Sequence, residues 1–194
     1  MSEFITIVIA TIILISVFLF YESKLSELTY VRSTVDNEEY LVRNRDDKVE
    51  AANILANIKK NLLELVEYVE LKLGHKENVQ RLVSKFKPKK ISESVSGTKH
   101  TSYSVNKGEK IVFCIRSKDS KEKLVDLNTM MFVAIHELAH VMTVSIGHTE
   151  EFWDNMRFLL KHAIKRGIYK RQDFKNKPVP YCGTTITDTP LQEE

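Results

Sequence analysis

The chain begins with an uncharged apolar run that an ordinary soluble core would not bury. The run extends from Phe4 to Tyr21, about 18 residues, which is the lower end of a bilayer span. A cleaved signal peptide normally has a basic start and a small-residue cleavage site, and a buried core helix is rarely apolar on every side. No Lys or Arg precedes Phe4, and "FLFYES" contains no such cleavage site. We therefore expect residues 1–21 to form a transmembrane anchor.

The flanking charges and the cysteines bear on where the rest of the chain lies. Lys24 and Arg32 follow the apolar run, so the positive-inside rule predicts a single-pass membrane protein with a cytosolic C-terminal domain. Cys114 and Cys182 could form one disulfide at most, and their surroundings do not resemble a disulfide-dense secreted module. We expect a reducing compartment, with Cys182 as a free thiol.

Turn-forming residues and prolines divide the rest of the chain into three parts. We expect residues 22–45 to form a juxtamembrane segment with a hairpin turning at Asp36 and Asn37. Residues 46–177 are predicted to form a folded domain, and residues 178–194, with three prolines, an irregular tail.

Helical periodicity and turn signals describe that domain. A long amphipathic helix is predicted from a cap at Asp46 or Asp47 to Gly74, and a shorter one covers residues 77–86. Polar residues 92–102 are predicted to be a loop. A hairpin turning at residues 106–109 follows it. The fold class is therefore α+β, with a small antiparallel sheet.

Two further helices are predicted in the second half of the domain. The first starts after the cap candidates Asp126 and Asn128 and is stopped by Gly147. The second is capped by Thr149 and stopped by Gly167.

The first of these helices contains the motif "HELAH". Residues four apart lie one above the other on a helix, so His136 and His140 project to one side and can bind one zinc ion. Glu137 is then placed to take a proton from an attacking water. The alternative is that both histidines are satisfied core residues and Glu137 lies on a solvated face.

A catalytic zinc needs a third protein ligand, and His148 is the candidate. Gly147 can adopt a positive φ at no steric cost, and this would end the helix and return His148 toward the metal. Glu150 and Glu151 are rival ligands, although their place in a first helical turn already explains them electrostatically. His162 and Asp154, farther along, are not assigned as ligands.

"HELAH" followed by "GH" and "EFW" resembles the SprT/WLM-type zinc metallopeptidases. The resemblance runs from "NKGEKIVFCIR" to "YCG" and implies a zincin-like domain that hydrolyses proteins. It implies zinc ligands at His136, His140 and His148, with Glu137 as general base. Phe152 and Trp153 would pack behind the third ligand. Several members of the group have a shorter spacing before their third histidine.

Other segments are similar to membrane-anchored metallopeptidase-like proteins of large DNA viruses. The similarity lies in "YLVRN", "EAANILANI", "GIYK" and "YCG". It implies a virion membrane as a location and capsid or other virion proteins as partners.

The last helix and its exit are basic from Arg157 to Lys177. Some SprT-type proteases act on proteins crosslinked to DNA, so this surface is a candidate DNA contact. A solvated face, or a surface near anionic lipid, is the favoured interpretation because the anchor keeps the domain at a membrane.

Two tyrosines outside the motif, Tyr169 and Tyr181, are candidates to donate a hydrogen bond to a tetrahedral oxyanion. Together these features predict a membrane-anchored zinc endopeptidase. The alternative is a non-catalytic, zinc-binding protein that links a membrane to a protein shell such as a capsid. Glu137 favours the enzyme, because a structural zinc site needs no base and usually has four protein ligands.

Overall fold

The computed structural model describes residues 2–87, 89–98 and 101–191. Met1 of the predicted anchor, Lys99 and His100 of the predicted loop, and residues 192–194 of the predicted tail lie outside the described residues. The helices are α1 (Ser2–Ser26), α2 (Lys48–Leu73), α3 (Glu77–Lys85), α4 (Leu127–Met142) and α5 (Glu150–Lys165). The strands are β1 (Leu28–Arg32), β2 (Glu39–Arg43), β3 (Ile91–Glu93), β4 (Tyr103–Val105), β5 (Lys110–Phe113), β6 (Val179–Tyr181) and β7 (Thr184–Ile186).

Helix α1 is apolar on all of its faces. Among the described residues it is the one helix long and apolar enough to cross a membrane, and none of its apolar window is buried in the protein. Only Glu27 separates α1 from β1. The Glu27 carboxylate pairs with Arg43 Nε at 3.1 Å and accepts a hydrogen bond from the Ser96 N–H. This residue therefore joins α1 directly to the domain.

The main sheet has five strands in the order β1-β2-β3-β5-β4. Both predicted hairpins are confirmed, because β1 pairs with β2 and β4 with β5 in antiparallel fashion. The sheet as a whole is mixed, not antiparallel as expected, since β3 pairs in parallel with β2 and β5. Helices α2 and α3 connect β2 to β3, and such a long crossover is what a parallel pair requires.

Strand β3 overlaps the segment predicted to be a polar loop. All of its residues are buried, including Glu93. The Glu93 carboxylate accepts a hydrogen bond from Arg116 Nε at 2.7 Å, and Arg116 Nη1 donates to Asp47 Oδ2 at 2.7 Å. This pairing explains why a polar segment is central in the sheet, because a buried carboxylate needs a charged or hydrogen-bonding partner.

The helix caps largely match the sequence. Asp47 occupies the N-cap position of α2 without a side-chain capping hydrogen bond, and the helix ends before Gly74. Helix α5 is capped by the Thr149 side chain. The Asp126 carboxylate caps α4 by accepting from the Thr129 N–H at 2.9 Å. The predicted end of α4 at Gly147 is wrong. The helix ends at Met142, because the backbone of the next residue is extended.

The predicted tail is not irregular, because β6 and β7 form an antiparallel hairpin. This hairpin brings Cys182 to Cys114, and the two form a disulfide with a Cα–Cα distance of 6.2 Å. The expectation of a free thiol at Cys182 is therefore wrong. A separation of 68 residues hid the pairing from sequence patterns. Disulfides are rare in reducing compartments, so the pairing does not fit the reducing compartment expected.

Gly108, in the β4–β5 turn, packs against the end of α3 and against α4. Its φ is +106°, and an added Cβ would lie 2.7 Å from the Lys85 carbonyl oxygen and 2.9 Å from Val141 Cγ1. Gly97 also has a positive φ of +66°, but nothing lies within 4 Å of its Cβ position.

We expect Gly108→Ala to lower the free energy of unfolding by about 2–4 kcal/mol, since it adds a backbone clash to the strain of the positive φ. Gly97→Ala introduces the strain of the positive φ without a clash, and it should lower the free energy of unfolding by about 1 kcal/mol. Chemical denaturation of both variants in detergent measures the difference. Equal losses would contradict the close approach at Gly108.

Candidate metal centre

Helix α4 presents His136 and His140 to an open cleft. The two residues are one helical turn apart and both are half-buried, whereas most of the helix is fully buried. Their rings lie edge to face, with centroids 4.9 Å apart. The spacing therefore places both imidazoles on one side of the helix.

The loop between α4 and α5 returns the chain to these histidines. Gly147 has a φ of +83°, and the next residue, His148, turns its ring back toward α4. The Nε2 atom of His148 lies 3.1 Å from that of His136 and 3.2 Å from that of His140. The structure thus brings together all three residues predicted as ligands.

The three nitrogens have a spacing that suits zinc. Ligands at about 2.0–2.1 Å from a tetrahedral ion stand about 3.3–3.4 Å apart. The two separations from His148, 3.1 and 3.2 Å, are close to this value, and all three ligand atoms lie within 4.8 Å of one another. Burial lowers the pKa of His136 to about 3 and that of His140 to about 4, and the neighbouring histidines add to both effects. Both imidazoles are therefore neutral near pH 7 and have lone pairs free to bind a metal. Three imidazoles also leave a fourth position open, as in catalytic zinc sites.

Glu137 lies beside the histidines and lines the same cleft. Its side chain is almost completely buried, and burial raises the pKa of Glu137 to about 7. The backbone N–H of Ser104, on β4, donates a hydrogen bond to this carboxylate and lowers its pKa, which opposes the effect of burial. A carboxylate with a pKa near 7 can both accept and return a proton.

Phe152 packs directly behind the three imidazoles. It is fully buried, and its ring centroid lies 4.9, 4.4 and 4.6 Å from those of His136, His140 and His148. Trp153 covers the outer side of His148, with a centroid distance of 5.4 Å. These contacts fix the ring orientations from the side opposite the cleft.

The other candidate ligands have different roles. The Glu151 carboxylate accepts hydrogen bonds from two loop N–H groups and from the Ser145 hydroxyl. Asp154 pairs with Arg157 on the same helix. Among the described residues, the three histidines form the group whose ligand atoms converge closely enough to hold a metal.

The cleft over the histidines has a volume of about 540 Å³. It is lined by β4 and the residues just before it, by α4, by the loop before His148, and by residues of β6 and β7. Of the two tyrosines considered, Tyr181 lines this cleft, and its hydroxyl lies 2.6 Å from Ser102 Oγ. Tyr169 is instead buried against Phe132, with ring centroids 5.9 Å apart.

Comparison with known proteins places this site in a family, since the WLM domain family matches residues 35–190. The chain belongs to the WLM-domain family. The resemblance seen in the sequence is thereby confirmed, and the family is metallopeptidase-like. The α+β fold class is also confirmed.

Relatives of this WLM domain occur in large DNA viruses. Protein R325 of Acanthamoeba polyphaga mimivirus is 36% identical over 198 residues, covering 99% of this chain and 100% of that protein. Protein 042R of Invertebrate iridescent virus 3 is 49% identical over 69 residues, covering 35% of this chain and 42% of that protein. Among solved structures, Wss1 from Saccharomyces cerevisiae is similar, with 21% identity, a TM-score of 0.47, and coverage of 65% of this chain and 89% of that one.

Sequence patterns missed three contributors to the site of this WLM domain. They are the Ser104 N–H on Glu137, the Ser102 hydroxyl on Tyr181, and Lys107, which binds the loop before His148. The turn residues around Lys107 did predict the β4–β5 hairpin. Nothing in the local sequence indicates that this hairpin packs against the HExxH helix.

We expect His148→Ala to weaken zinc binding by about 100-fold or more, because it removes one of three converging nitrogens. Glu150→Ala, which removes a rival carboxylate two residues away, should change the affinity by less than about threefold. Competition with a chromophoric chelator measures both. Similar losses in the two variants would mean that the third ligand is not His148.

Proposed function

We propose that the chain is a membrane-anchored, zinc-dependent endopeptidase in which His136, His140 and His148 bind the metal. The observation that carries the proposal is a buried carboxylate, Glu137, beside three converging imidazoles at the base of an open cleft. A structural zinc site is usually closed by four protein ligands and needs no such carboxylate.

The chemistry divides between the metal and the protein. A bound zinc ion supplies Lewis-acid chemistry, since it lowers the pKa of water and polarises a carbonyl group. Glu137 takes a proton from the attacking water as the oxygen of that water bonds to the scissile carbonyl carbon. Glu137 then delivers this proton to the nitrogen as the C–N bond breaks. A carboxyl with a pKa of about 7 suits both steps.

The cleft walls supply the remaining contacts. We assign the Tyr181 hydroxyl as a donor to the oxyanion of the tetrahedral intermediate, because it lines the cleft with Glu137 and His136. Strand β4 is the edge of the sheet and borders the same cleft. An extended peptide would align along this edge, with successive side chains pointing to opposite sides of the peptide.

Helix α1 and the relatives support a proposal for the location of the protein. We propose that α1 spans a membrane through residues 4–21, so that the domain acts on proteins close to that membrane. Because similar chains occur in large DNA viruses, a virion membrane and capsid or other virion proteins are the proposed setting.

We expect the full chain in detergent to bind about one zinc ion and to cleave unfolded protein substrates such as casein. Glu137→Gln should retain zinc but lose about 10²–10⁴-fold in activity, because only the proton carrier is removed. His136→Ala should lose both zinc binding and peptidase activity. Zinc binding without cleavage by the wild-type chain would favour the alternative, a structural link between a membrane and a protein shell.

Tyr181→Phe should lower kcat about 10²–10³-fold with little change in KM, as expected for an interaction made in the transition state. Tyr169→Phe is the matched control, because it removes a buried hydroxyl outside the cleft, and its kcat should be unchanged. Thermal unfolding of both variants checks that the fold is retained. A wild-type kcat for Tyr181→Phe would exclude the proposed role.

A further inference from the structure

The third metal ligand lies in a loop that belongs to no helix or strand. After α4 ends at Met142, residues 143–149 connect it to α5, and His148 is near the end of this segment. The last carbonyl groups of a helix and those of an irregular loop need partners from elsewhere. The backbone position of His148 therefore depends on the groups that bind this loop, in addition to the contacts that its ring makes with Phe152 and Trp153.

Lys107, from the β4–β5 turn, binds the carbonyl side of the loop. Its ammonium group donates to the carbonyl oxygens of Thr143 at 2.9 Å, Val144 at 2.5 Å and Ser145 at 2.8 Å. An ammonium group has three N–H donors, so these three acceptors use all of them. Lys107 lines the cleft, but its donors serve the loop and are not left for a ligand.

Glu151, in the first turn of α5, binds the opposite side of the same loop. Its two carboxylate oxygens accept from the N–H groups of Val144 at 2.8 Å and Ser145 at 3.1 Å. The Ser145 hydroxyl donates to Glu151 at 2.7 Å and also contacts the Thr149 hydroxyl. The loop is thus held by a cation on its carbonyl groups and an anion on its N–H groups.

The turn that carries Lys107 has an unfavourable backbone conformation. Asn106 and Lys107 have φ angles of +47° and +52°, and Gly108 follows with its close contacts to α3 and α4. Left-handed conformations of residues other than glycine cost about 1 kcal/mol each and persist where the surrounding contacts enforce them. Here the enforcing contacts include the three carbonyl groups bound by Lys107.

We propose that Lys107 is a positioning residue for the metal centre, and that its three hydrogen bonds hold the loop so that His148 meets His136 and His140. This inference rests on the zinc site of the proposed function, but not on catalysis. It also makes the β4–β5 hairpin a direct link between the strand that borders the cleft and the third ligand.

The direction of the change in zinc affinity on removing Lys107 distinguishes a positioning role from an effect of its charge. The positive charge of Lys107 disfavours a second positive charge near His140. On charge alone, removing Lys107 would strengthen the binding of a zinc cation. Positioning predicts the opposite, because a released loop must be ordered again each time the metal binds.

The test measures zinc affinity of the full chain in detergent by chelator competition. We expect Lys107→Met to bind zinc about 10–100-fold more weakly, as for other residues that orient a ligand without touching the metal. Lys90→Met is the matched control, because it removes an exposed ammonium group that pairs with Glu109 at 3.6 Å, and its affinity should stay within about twofold of wild type. The visible absorption of the Co²⁺-loaded Lys107→Met protein should also differ from wild type, since one nitrogen ligand is lost or displaced.

Unchanged or tighter zinc binding by Lys107→Met would overturn the inference, as would an equal loss in Lys90→Met. If Lys107→Met does not fold, Lys107→Arg tests the same point at constant charge, because a planar guanidinium does not reproduce an ammonium's three donors. Weaker zinc binding by that variant supports the inference, and wild-type affinity rejects it. A wild-type chain that binds zinc but cleaves nothing would reject the proposed protease and leave this inference standing.

Discussion

Helix α4 packs against α2, α3, α5 and β4, and this burial leaves the face with His136 and His140 at the cleft. The same packing encloses Glu137, which is why its carboxyl has a pKa of about 7 instead of that of an exposed glutamate. The electrostatics of the site therefore come from the position of one helix. A shift of α4 would change the spacing of the nitrogens and the environment of the carboxylate together.

The remaining parts of the site are polar contacts that connect segments far apart in the chain. The buried pair of Arg116 and Glu93 stabilises the centre of the sheet. In this sheet β5 is joined to the edge strand β4 by a tight turn. That turn delivers Lys107 to the loop before His148, and β4 delivers the Ser104 N–H to Glu137. One hairpin thus contacts both the metal-binding loop and the candidate base.

The C-terminal hairpin also lines the cleft. Its attachment combines the Cys114–Cys182 disulfide with the contact between Tyr181 and Ser102, and the Ser102 hydroxyl in turn accepts from the Cys114 N–H at 3.1 Å. These contacts place Tyr181 next to the covalent bond that ties the hairpin to the end of β5. A short two-stranded ribbon is marginally stable by itself, so its place beside the metal centre depends on this attachment.

Local sequence patterns were enough to predict the features that depend on neighbouring residues. The apolar length of α1, the caps at Asp47, Asp126 and Thr149, and the side-by-side placement of His136 and His140 all follow from local periodicity and turn chemistry. Contacts between residues far apart in the chain are visible only in the folded protein. The fold paired the cysteines, put Tyr181 rather than Tyr169 in the cleft, and set Lys107 on the loop, whereas the return of His148 to the helix was predicted from Gly147. These contacts arise from the packing of whole helices and strands against one another, and local sequence patterns do not predict that packing.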